Sequence, residues 1–286
     1  MKSYMHSMNI KFPNGLNRAL TLSYDDGVIQ DKRFMDIIDG YGIKATFNIN
    51  TEMFSQKTKR GGRHSLEQAL EIYEKNGHEV ALHGAAHAFP NRVPSNIMLR
   101  EVCDDRTNLE EIFQKPVRGM AYAYGKYTKE TLDVLKLCKI AYSRTTKSTH
   151  SFDLFHGDEW LELNPTCHHK EELDELCEKF FELKAPDGKM FYLWGHTYEF
   201  DANDNWYIIE NFAKKMGGRE DIWYANNIQI HDYVEAFDRL IVSMDASFVT
   251  NPNAIPVWFS VTTASDSAIS DEKMFVVNPG ETIKLK

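Results

Sequence analysis

The 286-residue sequence is short of several things, and each shortage removes a class of protein. Its four cysteines, Cys103, Cys138, Cys167 and Cys177, form no C-x-x-C pair, so neither a structural zinc knuckle nor a disulfide scaffold is expected and the thiols are read as free. No window approaches the roughly 18 uncharged apolar residues that a spanning helix needs, and the opening MKSYMHSMNIKFPNG holds no apolar run of signal-peptide type. The expected location is the cytoplasm, with no membrane span. A basic stripe is missing too: 33 Lys and Arg against 42 Asp and Glu leave a formal charge of -9, which argues against a nucleic-acid partner. No glycine-rich fingerprint follows the first strand-like segment, and that removes the dinucleotide crevice of open α/β sheets. Neither repeats nor low-complexity tracts occur.

What is present suffices for a large core: 42% hydrophobic residues, 12% of the chain being aromatic. Strand-like segments are expected at Ala19–Tyr24, Lys44–Ile49, His78–Leu82, Gly119–Tyr122, Ala141–Arg144, Lys189–Trp194 and Asp221–Tyr224. Helical patterns lie between them at Asp31–Asp39, Ser65–Lys75, Ser95–Phe113, Thr128–Leu137, Lys170–Leu183 and Asn205–Lys215, with a last one near His231–Leu240. This alternation predicts an α/β protein, a (β/α) barrel that is distorted or seven-stranded. Beyond residue 240 short alternating runs at Ser247–Thr250, Val257–Thr262, Met274–Val277 and Thr282–Leu285 predict a small C-terminal β appendage. The expected division is a barrel over 1–240 and an extension over 241–286, the latter structural or a docking element for a partner or a second copy of the chain.

Three strand ends carry chemistry. Asp25-Asp26 closes the first strand in TLSYDDG, and two adjacent buried negative charges are costly unless a cation or a proton compensates them. His83 and His87, four apart in LHGAAH, could join one of the aspartates in holding a metal ion, leaving the other as a base. Such a histidine pair arises by chance about 0.4 times in a chain of this composition, so alone it proves little. Gly84 stands where a metalloprotease H-E-x-x-H helix would carry its glutamate, so the base must come from elsewhere. His196, ending the apolar strand of LWGH, suits protonation of a leaving group.

In that order these residues resemble the polysaccharide deacetylase family, metal-dependent carbohydrate esterases, over roughly residues 15 to 235. The resemblance implies that Asp25 is the catalytic base, that Asp26, His83 and His87 bind a divalent metal, and that His196 is the catalytic acid. In VRGMAYAYGKY it implies an oxyanion role for the backbone of Tyr124 and a base-steadying role for Arg118, although Arg118 lies farther from Gly125 than the motif has it and no proline intervenes. The family's Ser or Thr after the first metal histidine is replaced by Gly84. In GDEWLEL, Trp160 is the candidate pocket wall, with Asp158 and Glu162 as acids that could orient His196; a core position for Trp160 competes with that reading. His168, His169 and Glu199 lack a motif role and read first as capping or solvated residues.

The function so implied is hydrolysis of a non-peptide C–N bond, above all deacetylation of an N-acetylated sugar or polysaccharide precursor, with a carbohydrate or small acylated molecule as partner. Opening of a cyclic amide on the same fold and non-catalytic carbohydrate binding are the alternatives. A His-His-Asp set accepts zinc, cobalt, nickel, iron or manganese, zinc being the first expectation.

Overall fold

The structure is a computed structural model that describes residues 4–58, 61–73, 75–265, 268–269 and 272–285. All seven expected strands are present: β2 (Arg18–Asp25) and β3 (Ala45–Ile49), then β4 (Glu79–Leu82), β5 (Gly119–Ala121), β6 (Tyr142–Arg144), β8 (Lys189–Gly195) and β9 (Ile222–Tyr224), with β1 (Tyr4–Lys11) before them and β7 (Cys167–His168) among them. Apart from β1 they form one eight-stranded sheet, in the order β6-β5-β4-β3-β2-β8-β7 with β9 also on β2, every pair parallel. The segment from Leu163 to His168 reaches both edges, since Leu163 bridges Arg144 while Cys167 and His168 pair with Leu193 and Trp194. The sheet therefore curls round as the barrel reading requires.

β2 shows why these strands lie inside: from Ala19 to Asp25 every residue is buried, as expected when helices cover a parallel sheet. The covering helices bury one stripe each. In Tyr207–Met216 the buried residues are Ile209, Phe212, Ala213 and Met216, the spacing of a single helix face. Helix Lys129–Leu137 starts where Thr128 accepts the Thr131 N–H in a capping box. The expected helices at Asp31–Asp39 and Ser95–Phe113 occur with those bounds; that at Ser65–Lys75 is observed over Leu66–Tyr73, Glu74 lying outside the described residues. Among the described residues no helix is long and apolar enough to cross a membrane.

β1 carries no expectation from sequence, because His6, Ser7 and Asn9 interrupt its apolar alternation. It pairs antiparallel with Val257–Ser265, which in turn pairs with Lys273–Val277, so the first residues and the tail share one sheet. That sheet and the strands at Phe248–Thr250 and Thr282–Lys284 enclose a small core of Val249, Val257, Phe259, Val261, Val277 and Leu285 against Ala236 of helix Asn227–Asp238. Tyr233 of the same helix ties the two parts, its hydroxyl donating to Lys11 O (2.6 Å) and accepting from Trp258 N (2.9 Å). All four cysteines are free, as expected, with the sulfurs of Cys103 and Cys138 3.7 Å apart.

Candidate metal centre and acid-base site

β2 ends at Asp25, and the chain then turns through two left-handed residues, Asp26 (φ 86°) and Gly27 (φ 61°). This reversal sends the two adjacent carboxylates different ways. Asp25 is held by Arg144, the last residue of β6, whose guanidinium contacts both carboxylate oxygens at 2.5 Å, and Asn48 Nδ2 donates to Oδ1 at 2.8 Å. Arg144 is fully buried, lies over the Trp194 ring at 4.4 Å and also bonds Ser23 Oγ (3.2 Å). Burial alone would raise the Asp25 pKa, but Arg144, with His83 and His196, overcomes it and holds the carboxyl well below its usual range.

Asp26 turns toward the histidine pair. Its Oδ1 lies 3.6 Å from His87 Nε2 and 3.9 Å from His83 Nε2, and the two imidazole nitrogens are 3.2 Å apart. Three ligands about 2 Å from a tetrahedral ion would be separated by about 3.3 Å, so the triangle has the size of one ligand face. His83 Nδ1 sits 2.9 Å from the Ala121 carbonyl, which can only accept; the proton is therefore on Nδ1 and the Nε2 lone pair faces the cluster. Burial pushes both imidazole pKa values down, that of His87 to about 3 with His83 adding to it, so both are neutral and able to bind metal. The donor set fits a divalent cation.

The loop carrying these histidines lacks the family's hydroxyl side chain at position 84, and other groups support it. Gly84 is left-handed (φ 81°), and a Cβ there would come within 3.0 Å of Glu101 Oε2. That oxygen accepts the N–H groups of Ala86 (3.1 Å) and Ala88 (3.2 Å). Asp105 accepts the His83 N–H (3.0 Å), and Asn50 Nδ2 donates to the carbonyls of His83 (2.9 Å) and Gly84 (2.7 Å).

His196, just past β8, has Nε2 3.9 Å from Asp25 Oδ2 and Nδ1 3.6 Å from Glu199 Oε1, an ion-pair distance longer than a hydrogen bond. Burial opposes its charged form, but Glu199, Asp25 and Asp26 outweigh that and raise its pKa. Glu199 is a hub. Its Oε2 is 3.2 Å from His168 Nε2 and 3.1 Å from His169 Nε2, and Lys170 Nζ is 2.9 Å from Oε1. His168, His169 and Glu199 form the other group among the described residues with metal-binding spacing. The Lys170 N–H donates to His168 Nδ1 (3.1 Å), however, which places the His168 proton on Nε2, toward Glu199, where a metal would need a lone pair. This second group is a hydrogen-bonded charge cluster.

Asp25, Asp26, His83, His87, Tyr124 and His196 thus line one cleft of about 350 Å³ with Tyr122, Gly125, Thr146, Trp194, Tyr198 and Glu199. Tyr124 stacks on Phe89 at 3.6 Å and lies 4.5 Å from His87. Gly125 behind it leaves no room for a side chain, since a Cβ would fall 2.1 Å from Thr146 Oγ1. Two expected residues are placed elsewhere. Arg118 pairs with Asp232 at 2.5 Å, and Arg144 stands beside Asp25 in its stead. Trp160 is buried against His231 (4.9 Å) and Phe155 (6.0 Å), and Trp194 walls the cleft. Asp158 pairs with Lys136 and Glu162 accepts from Tyr127, so neither is engaged with His196. A faint signal for Arg144 was the lone charge closing a strand; Glu199 had only its nearness to His196, and Arg63, which bonds Asp26, had none.

Residues 14–143 match the model of the polysaccharide deacetylase family, a span that holds Asp25, Asp26, His83, His87 and Tyr124 and stops one residue short of Arg144. Over that span, a little under half of its length, the chain is similar to the polysaccharide deacetylase family. A crystal structure from Mycobacterium smegmatis, itself assigned to the polysaccharide deacetylases, aligns with 80% of this chain and 94% of its own at TM-score 0.60 and 16% identity, which establishes the shared fold. A family 4 carbohydrate esterase from Streptomyces lividans, solved with acetate, aligns at TM-score 0.49 and 12% identity over 73% of this chain and 93% of its own. A structure from Bacillus anthracis described as a CE4 family pseudoenzyme aligns at TM-score 0.46 and 16% identity over 78% and 68%. No curated protein matches the sequence.

Proposed function

We propose that this chain is a metal-dependent hydrolase that removes the acetyl group from an N-acetylated sugar. The observation that carries the reading is the divergence of two neighbouring carboxylates, Asp26 toward His83 and His87 and Asp25 toward Arg144. A divalent ion held by Asp26, His83 and His87 would acidify water and polarise the acyl oxygen. Asp25, kept ionised by Arg144, takes a proton from the attacking water at Oδ2, the oxygen that faces His83 (3.8 Å) and His196 (3.9 Å). His196, whose protonated form Glu199 favours, gives its proton to the departing amine. The backbone N–H of Tyr124 serves the oxyanion, and the rings of Tyr124 and Trp194 offer apolar faces to a sugar.

The test is acetate release from soluble N-acetylglucosamine oligomers by the zinc- or cobalt-loaded chain, run beside ring opening of a small ureide. Acetate release that Asp25→Asn abolishes supports the proposal. Ring opening without acetate release, or sugar binding without turnover of either substrate, overturns it.

A further inference from the structure

Arg63 is a buried cation at the site that neither the motifs nor the proposed chemistry uses. Its backbone is tied to the turn after the aspartates: Val28 bridges Arg63, and His64 N–H donates to Gly27 O at 3.2 Å. The side chain is nearly sealed from solvent. Nη2 donates to Asp26 Oδ1 at 3.1 Å and Nη1 to Asn50 Oδ1 at 3.2 Å, while Nε is buried with no hydrogen-bond partner among the described residues. The oxygen that Arg63 holds is the same one that faces His83 and His87. Each carboxylate of the doublet therefore has its own buried guanidinium, Asp25 with Arg144 and Asp26 with Arg63.

We infer that Arg63, seated on the Asp26 oxygen that faces the two histidines, is a resident countercharge that holds down the affinity of Asp26, His83 and His87 for a divalent cation. The inference rests on the metal reading above and concerns its strength. Two effects of opposite sign compete. A hydrogen bond to a ligating carboxylate ordinarily orients it and strengthens binding by about 10–100-fold. A full positive charge on that same oxygen repels an incoming cation in a poorly screened interior. Asp26 is already oriented by its backbone, since its N–H donates to Asn48 O at 3.0 Å in a fixed turn, so the orienting contribution of Arg63 is small and repulsion dominates.

The experiment is zinc titration of the metal-stripped full-length chain against a chromophoric chelator, with cobalt absorption as a second readout. Arg63→Gln, which keeps a donor and loses the charge, is expected to tighten the zinc Kd about 10-fold or more; Arg63→Lys should stay within a few-fold of wild type. Without metal, Arg63→Gln should melt lower than wild type, and zinc should raise its Tm by more. If this variant folds only with zinc, a rescue at lower free zinc than the wild-type Kd gives the same support. Unchanged or weaker zinc binding by a folded Arg63→Gln overturns the inference and leaves the metal site standing. Absence of zinc uptake by the wild-type chain overturns the site itself, and this inference with it.

Discussion

Asp25 and Asp26 on the rim and Asp31, Glu79 and Asp105 elsewhere in the barrel are equally sealed from water, yet their carboxyls are displaced in opposite directions. Burial pushes all five up. For the rim pair arginines and imidazoles reverse the shift, whereas for the other three burial prevails and the pKa rises to about 7. Partners explain the difference. Asp31 accepts from the hydroxyls of Tyr73 and Thr197, Asp105 from Thr51 and the His83 N–H, Glu79 from Thr46, Tyr142 and the Ile228 N–H. Neutral donors satisfy a carboxylate's lone pairs but do not replace its lost hydration as a guanidinium does. Arginine-paired acids therefore stay charged, while hydroxyl-paired acids act as struts: Asp31 braces the residue after His196, and Asp105 braces His83.

The comparison breaks most visibly at Asp25. Asp25→Asn should lower acetate release by about 10²–10⁴-fold while zinc content, measured by elemental analysis, stays at the wild-type level; an equal fall from Asp31→Asn would erase the distinction between the sets. Next comes stability. Arg144→Met leaves Asp25 buried and unpaired and should cost about 3–5 kcal/mol in denaturant unfolding, and adding Asp25→Asn should recover much of it.

Glu79 sharpens the other side. Its folded pKa, about 7, lies above the unfolded value, so its stabilising contribution is complete below the unfolded pKa and is lost as pH rises toward the folded one. Glu79→Gln should therefore stabilise the chain by on the order of 3 kcal/mol at pH 8 and have little effect below about pH 4.5, read as ΔG of unfolding across pH. The smallest effect is expected at the hub. Because Glu199 helps raise the His196 pKa, Glu199→Gln should move the alkaline limb of the pH–rate profile to lower pH, with a shift of the His196 NMR titration in the same direction.

Much of this site was legible in the chain because strand ends announce themselves. Asp25, Asp26, His83 and His196 each follow an apolar run, and parallel strands must deliver such ends to a common rim. Arg144 was hidden by distance, 119 residues from the aspartate it holds. Arg118, nearer to the motif, looked the better candidate until the structure tied it to Asp232. Trp160 was the ring the motif offered, and only packing placed it away from the cleft and set Trp194 in the wall. β1 escaped because its partner strand begins 246 residues later, at Val257, and its own polar residues blur the alternation.

The amino-acid sequence by itself determined the alternation of strands and helices, the acid pair, the histidine pair and the single histidine, because periodicity and local spacing are written within short windows of residues. Tertiary structure alone decided which arginine answers which aspartate, which glutamate faces His196, and that His168 directs a proton rather than a lone pair toward it. Those choices depend on burial and on which charges meet across the closed sheet, and no short window of residues contains either.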